Sequence, residues 1–173
     1  MRVVLIIILT GLLSLLWYEL FYFKQGEQPS TLVNQSVPPF SLIDLMNAPQ
    51  VFDEKNLKGR VSLLNVWATW CDACKLEHEM LMKIKNEYQI PIYGINYKDD
   101  PQAVLIWLST MGNPYTKLGL DQDGKTAIDF GIYGTPETFI VNAEGKIIYR
   151  HIGIINQLNW DTVLYPIIKQ WRA

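Results

Sequence analysis

The sequence predicts an α/β fold, a sheet with helices on both faces, preceded by one N-terminal transmembrane helix. Three observations predict it. The first two dozen residues are almost wholly apolar. Beyond them, apolar runs of strand length alternate with amphipathic stretches of helical period. Late in the chain, two strand-like runs are joined by a tight turn. Alternating strands and helices, followed by a hairpin, pack as a sheet covered by helices.

Val3 to Phe23 reads VVLIIILTGLLSLLWYELFYF, with one acid, Glu19, near its far end. A bilayer-spanning helix needs about 20 apolar residues. Trp17, Tyr18, Tyr22 and Phe23 cluster where aromatic rings favour the membrane interface. A cleaved signal peptide would show a shorter apolar stretch and a small-x-small site, and neither stands around Trp17 to Lys24. Residues 1–23 are therefore expected to be an uncleaved anchor in the lipid bilayer. Arg2 places the N-terminus in the cytoplasm and the remainder outside it. Residues 24–39, polar and bearing Gly, Pro and Ser, read as a linker stiffened by Pro38-Pro39. Residues 40–173 form the expected domain, of ordinary single-domain length.

Within it, Phe40 to Leu45 alternates as an edge strand, and Gly59 marks a turn. Val61 to Trp67 is apolar enough for a strand buried on both faces. Asp72 to Tyr88 carries Ala73, Leu76, Met80, Leu81 and Ile84 at helical spacing. A strand over Ile92 to Tyr97 follows, then a helix over Pro101 to Met111 with Asp100 as N-cap. Tyr115 to Leu120 is a short strand, and a short helix covers Lys125 to Phe130. Glu137 to Asn142 and Lys146 to Ile152 form a hairpin across Ala143-Glu144-Gly145. Asn156 to Trp171 closes the chain as a helix that Pro166 should kink or split.

A net charge of −2 over 173 residues leaves no clustered basic footprint for nucleic acid. The two cysteines, Cys71 and Cys74, are too few for a disulfide-stapled scaffold. Their loop is also too short to constrain the unfolded chain much. A structural zinc site wants four ligands, and only His78 and His151 remain, on different elements. Each histidine reads most simply as a residue of its element, His78 on a helix surface and His151 on a strand. Covalent haem attachment needs CxxCH, and Lys75 stands in the histidine position. No metal and no cofactor is expected.

The position of the cysteines points to redox chemistry. They follow a strand and open a helix, where free N–H groups and the positive end of the helix dipole stabilise a thiolate. The thiolate is the attacking species, so Cys71 is the candidate nucleophile. Cys74, one turn further and more buried, is the candidate resolving thiol, and Trp70 shields one side of Cys71. A second element is Gly134-Thr135-Pro136-Glu137-Thr138, a proline immediately ahead of a strand. A cis Thr135–Pro136 bond is its stronger reading, since cis bonds mark tight turns at functional places.

At these residues the sequence resembles the thioredoxin superfamily. More narrowly it resembles the DsbE/CcmG-type thiol–disulfide interchange proteins of cytochrome c biogenesis. The carriers are LLNVWATWCDAC (Leu63–Cys74), Glu77-His78, YGINYKDD (Tyr93–Asp100), GIYGTPETFIV (Gly131–Val141) and YRHIG (Tyr149–Gly153). The resemblance implies a thioredoxin-like mixed sheet flanked by helices, with Pro136 as a cis-proline facing a redox-active Cys71–Cys74 disulfide. It implies a reductant of apocytochrome c CxxCH disulfides, working with the cytochrome c maturation machinery. The implied location is the bacterial inner membrane with the domain in the periplasm, and the electrons come from a membrane thiol–disulfide donor. Glu77 matches an acid beside the active site and Glu137 the acid after the cis-proline. Without the resemblance both read as solvated surface carboxylates.

Two departures stand out. Asn65 occupies the place where ordinary thioredoxins carry a buried aspartate, so proton transfer from Cys74 falls to Glu77 or to water. The dipeptide between the cysteines is Asp72-Ala73, and an acid beside Cys71 disfavours its thiolate, making the dithiol a stronger reductant. Competing readings are a general exported thiol–disulfide reductase or oxidase, and a tethered copper-delivery protein using Cys71, Cys74 and His151. A purely structural adaptor leaves the cysteines without a purpose.

Overall fold

The computed structural model describes residues 2–22 and 31–172. The first part of the expected linker, Lys24 to Ser30, lies outside the described residues. Helix α1 covers Arg2–Tyr22, and its described apolar side chains from Val3 to Leu16 stand exposed. Among the described residues no helix is long and apolar enough to cross a membrane.

The domain is built on a five-stranded sheet of β3 (Ser62–Trp67), β4 (Ile92–Tyr97), β5 (Lys117–Asp121), β6 (Glu137–Val141) and β7 (Ile147–Ile152). Their spatial order is β5-β4-β3-β6-β7. Strands β3, β4 and β5 are parallel, while β6 runs antiparallel to both β3 and β7, so the sheet is mixed. The first three strands are joined by helical crossovers, α2 (Asp72–Lys83) and α3 (Pro101–Met111). Parallel neighbours require such connections, whereas the β6–β7 pair needs only the 142–146 turn.

Strand β3 is central and wholly buried, and its alternation divides the core. Leu63 and Trp67 join Leu81, Val104, Leu108, Trp160, Leu164 and Ile168 on one side. Leu64 and Val66 pack with Phe52, Phe130, Phe139 and Ile147 on the other. The first face carries the long helices. The second is closed largely by a small hairpin, β1 (Ser41–Ile43) with β2 (Val51–Asp53), and by Phe130 after the short helix α4 (Lys125–Asp129). The expected edge strand is thus half of a separate two-stranded sheet, tied to the main one by a bridge between Asp44 and Gly119. Strand β2 has three residues and no alternation to announce it. Within the stretch read as linker, Asn34 N–H donates to the Ile147 carbonyl and Val37 N–H to that of Gly145.

The structure corrects the face of α2. The apolar spacing put Leu76 on the buried stripe, yet it is 72% exposed, while Glu77 and His78 are buried. The buried positions are Cys74, Glu77, His78, Met80 and Leu81, and all but Met80 form the i, i+3, i+4, i+7 set of one face. Two polar residues occupy it because each finds hydrogen-bond partners there, as the site shows below. After Lys83 the helix widens into one π-type turn, Ile84–Tyr88, and ends where Gln89 turns left-handed at φ 53°.

The C-terminal helix divides as its proline predicts. Asn156 and Asn159 form a reciprocal cap over α5 (Gln157–Asn159), a π-type turn covers Trp160–Leu164, and α6 (Tyr165–Trp171) follows. Pro166 sits in the first turn of α6, directly after the widened turn that absorbs its missing N–H.

Candidate active site

The β3–α2 junction is held from outside by the turn that follows β4. Asp99 accepts from the Thr69 N–H (2.6 Å), the Thr69 hydroxyl (2.7 Å), the Asn96 amide (3.0 Å) and its neighbour's N–H at Asp100 (2.9 Å). Lys98, left-handed at φ 45°, presents its carbonyl to the Trp70 indole N–H at 3.1 Å. Thr69 and Trp70, which deliver the chain to Cys71, are therefore fixed by YKDD residues. The sequence block was visible; that it acts as a clamp was not.

Cys71 is the N-cap of α2, with extended backbone (φ −93°, ψ 108°), and its Sγ accepts from the Cys74 N–H at 3.0 Å. An oxygen usually fills this capping role, and here sulfur takes it. The cysteines form a disulfide with Cα atoms 5.3 Å apart. Both are nearly enclosed, Cys71 at 7% exposure and Cys74 at 3%. Asp72 is exposed and Ala73 half-buried in the first turn, and Trp70 stands 57% exposed beside them. The structure brings together Trp70, Cys71, Asp72, Ala73 and Cys74 as the sequence placed them.

The Thr135–Pro136 bond is cis, and the Thr135 carbonyl oxygen lies 3.4 Å from Cys71 Sγ. The oxidised sulfur carries no proton, so only the reduced thiol can donate there. A second cis bond, Ala48–Pro49, lies in the β1–β2 hairpin, where no sequence signal singled it out.

Glu77 and Glu137 are not surface carboxylates; each is fully buried. They lie on opposite faces of the sheet, because Thr138, next to Glu137, points its hydroxyl to the α2 side. Glu137 pairs with Arg150, whose Nε donates to its Oε2 at 2.7 Å. Its Oε1 accepts from the N–H groups of Tyr133 (2.9 Å) and Gly134 (3.3 Å). Arg150 also donates to the Gly131 carbonyl at 2.7 Å. One buried ion pair thereby holds the loop that leads into the cis-proline. Arg150, on a strand otherwise read as ordinary, is the partner that sequence reasoning missed.

Glu77 reaches in the other direction, under the sheet's centre. Its Oε1 accepts from Asn65 Nδ2 at 2.9 Å and its Oε2 from the Ile155 N–H at 3.1 Å. Asn65 Nδ2 also donates to Thr138 Oγ1 at 3.0 Å, and Asn65 Oδ1 accepts from the Tyr115 hydroxyl at 2.9 Å. Burial raises the Glu77 pKa to about 7, against the lowering effect of its two donors. His78, expected on the surface, is buried. Its Nε2 lies 3.1 Å from the Gly112 carbonyl, and its Nδ1 accepts from the Trp107 indole at 3.3 Å. That pairing requires the proton on Nε2, and burial lowers the ring's pKa. His151 Nε2 sits 3.3 Å from the Ile154 carbonyl. Among the described residues no group of three His, Cys, Asp or Glu side chains is arranged to hold a metal.

A carboxyl whose folded pKa exceeds its unfolded value contributes stability at low pH and loses it as pH rises through the folded value. From a reference near 4.5 to about 7, the linkage is on the order of 3 kcal/mol. In chemical denaturation of the oxidised protein, wild type should therefore lose that amount relative to Glu77→Gln between about pH 5 and pH 8. Parallel curves for the two proteins would contradict the assignment.

The description Redoxin fits residues 32–164. The chain is 40% identical over 159 residues to a thiol:disulfide interchange protein DsbE of Vibrio cholerae, covering 90% of this chain and 86% of that protein. It is 40% identical over 172 residues to the protein of the same name from Escherichia coli K12, covering 96% and 92%. A crystal structure of a secreted thiol-disulfide isomerase from Corynebacterium glutamicum superposes with TM-score 0.67 at 20% identity, covering 77% and 85%. That last likeness speaks for the thioredoxin-like fold alone. With its CxxC pair at the head of α2, the chain belongs to the Redoxin family, among the DsbE-type thiol:disulfide interchange proteins, and is a thiol–disulfide oxidoreductase.

Proposed function

We propose that this chain is a membrane-anchored reductant of apocytochrome c CxxCH disulfides, acting in cytochrome c maturation on the periplasmic side of a bacterial inner membrane. The observation that carries the reading is Cys71 capping α2 beside the Thr135 carbonyl that precedes the cis-proline, with Cys74 enclosed behind it. In the reduced protein the Cys71 thiolate attacks one sulfur of the substrate disulfide. That bond breaks, and the released sulfur takes up a proton. Cys74 then loses its proton and attacks Cys71 Sγ, and the second substrate sulfur leaves and is protonated. Two electrons and two protons pass to the substrate, and the protein ends in the Cys71–Cys74 disulfide. A membrane thiol–disulfide donor restores the dithiol.

Supporting roles follow from position. Glu77, three residues after Cys74 on the same stripe, is the proton acceptor, since a carboxyl poised near neutrality can take and return a proton. Trp70 walls the nucleophile. Thr135 and Pro136 offer backbone to the incoming substrate, and Glu137 holds that loop. Residues 1–23 anchor the protein and 24–39 tether domain 40–173. Supporting the anchor, α1 is 21 residues long, about 31 Å at 1.5 Å per residue, which matches the roughly 30 Å hydrocarbon core. The anchor takes in the whole run from Val3 to Phe23.

Cys74→Ser should trap the substrate on Cys71 in a mixed disulfide. Recovery of apocytochrome c is the expected result; assorted exported proteins would replace this substrate with a general one, and no partner would remove exchange chemistry. The same full-length protein should stay in the membrane fraction after a high-salt wash, and a variant lacking residues 2–23 should be released. Retention of the shortened protein would overturn the anchor. Asp72 lies within the first turn of α2, where its charge opposes a thiolate on Cys71. Redox titration of Asp72→Asn should give a less reducing pair than wild type, by a modest margin because the carboxylate is solvated. A more reducing variant would sink that role.

A further inference from the structure

One hydrogen bond beneath the cysteines takes no part in the exchange steps, that from the Tyr115 hydroxyl to Asn65 Oδ1. A side-chain amide fits its space equally well either way round, but its two ends have opposite polarity. Here Oδ1 is occupied by Tyr115, so the two Nδ2 protons point to Glu77 Oε1 and Thr138 Oγ1. Neither of those acceptors fixes the orientation by itself. The threonine hydroxyl can donate as readily as accept, and a protonated Glu77 could offer its O–H to Oδ1. Tyr115 does discriminate. Burial, and then the charge of Glu77, hold its hydroxyl protonated well above the ordinary phenol range.

We propose that Tyr115 is a positioning residue whose hydroxyl locks the Asn65 amide with its N–H groups toward Glu77, favouring the charged carboxylate and setting the pH at which it exchanges a proton. The idea rests on the reading of Glu77 as the acceptor for Cys74. From the sheet, Asn65 faces Glu77, with Thr138 acting on it through Asn65; from the segment ahead of α5, the Ile155 amide; from the segment ahead of β5, Tyr115 through Asn65. Cys74 lies one turn earlier on its own helix. His78 turns away to Gly112 and Trp107.

The ring of Tyr115 is held independently of its hydroxyl. It stacks on Trp67 with centroids 5.3 Å apart and planes 19° from parallel. It also fills space left by Gly94, where an added Cβ would stand 2.9 Å from the ring. Tyr115→Phe keeps both contacts and removes the donor. Asn65 Oδ1 then gains by turning toward a protonated Glu77, and the carboxylate loses an N–H donor.

The test follows the Glu77 side-chain carboxyl carbon by NMR through a pH titration of the full-length oxidised protein, with Glu77→Gln identifying the signal. Tyr115→Phe should move its midpoint up by about one pH unit, a tenfold gain in proton affinity. A merely structural role for the hydroxyl would leave that midpoint in place. A near-neutral wild-type midpoint that Tyr115→Phe leaves unchanged or lowers would overturn the lock alone. A wild-type midpoint in the ordinary carboxylate range would overturn the lock and the proton-acceptor reading together. Should the variant fail to fold, the Asn65 side-chain N–H signals of the unaltered protein decide. They should exchange slowly and shift with the Glu77 titration, and rapid exchange or no response would overturn the proposal.

Discussion

The contact on which the site depends is the hydrogen bond between Asn65 and Glu77. It ties the helix that carries the cysteines to the central strand of the sheet, and it does so with a carboxyl taken wholly out of water. Burying a charge without compensation is costly enough that a carboxyl shifts its pKa instead. Glu77 has two N–H donors, which lower its pKa without offsetting the effect of burial. Its proton affinity therefore settles near neutrality. That compromise sets the rotation of α2, excludes Leu76 from the core and places a protonatable group one turn from Cys74.

The opposite face of the sheet solves a different problem. The loop before Pro136 is exposed at Gly131, Tyr133 and Gly134, with only Ile132 packed against the core. Glu137 and Arg150 hold it from below, each using one end on the other and one on the loop. A buried pair of this kind contributes little net stability against a well-packed apolar substitute, but removing one partner strands a charge. Its value here is geometric. The cysteines are positioned from one face and the cis-proline loop from the other, and they meet at Cys71. Asp99 completes the arrangement by gripping Thr69 ahead of the nucleophile.

Much of this was legible in the sequence. Strand β4 and helix α3 fall where their patterns put them, with Asp100 capping the helix, because period and cap chemistry agree there. The strand-to-helix position of CxxC was readable for the same reason, whereas the cis bond at Pro136 followed from the family resemblance and not from the dipeptide itself. Leu76, Glu77 and His78 were not. Apolar spacing assumes that polar residues seek water, and it cannot see that Asn65, Ile155, Trp107 and Gly112 wait with partners contributed from distant parts of the chain. Glu137 misled in the same way, since Arg150 lies thirteen residues later on a paired strand. Strand β2 escaped because three residues carry no period.

Glu77 is proposed to exchange a proton with the cysteine pair. If so, its proton affinity differs between the oxidised and reduced proteins, and linkage makes the reduction potential record the difference. The most direct measurement is the potential of the Cys71–Cys74 couple across about pH 5 to 9, in wild type and in Glu77→Gln. The two curves should change slope differently around pH 7, where the carboxyl titrates. Curves that stay parallel throughout would contradict the claim.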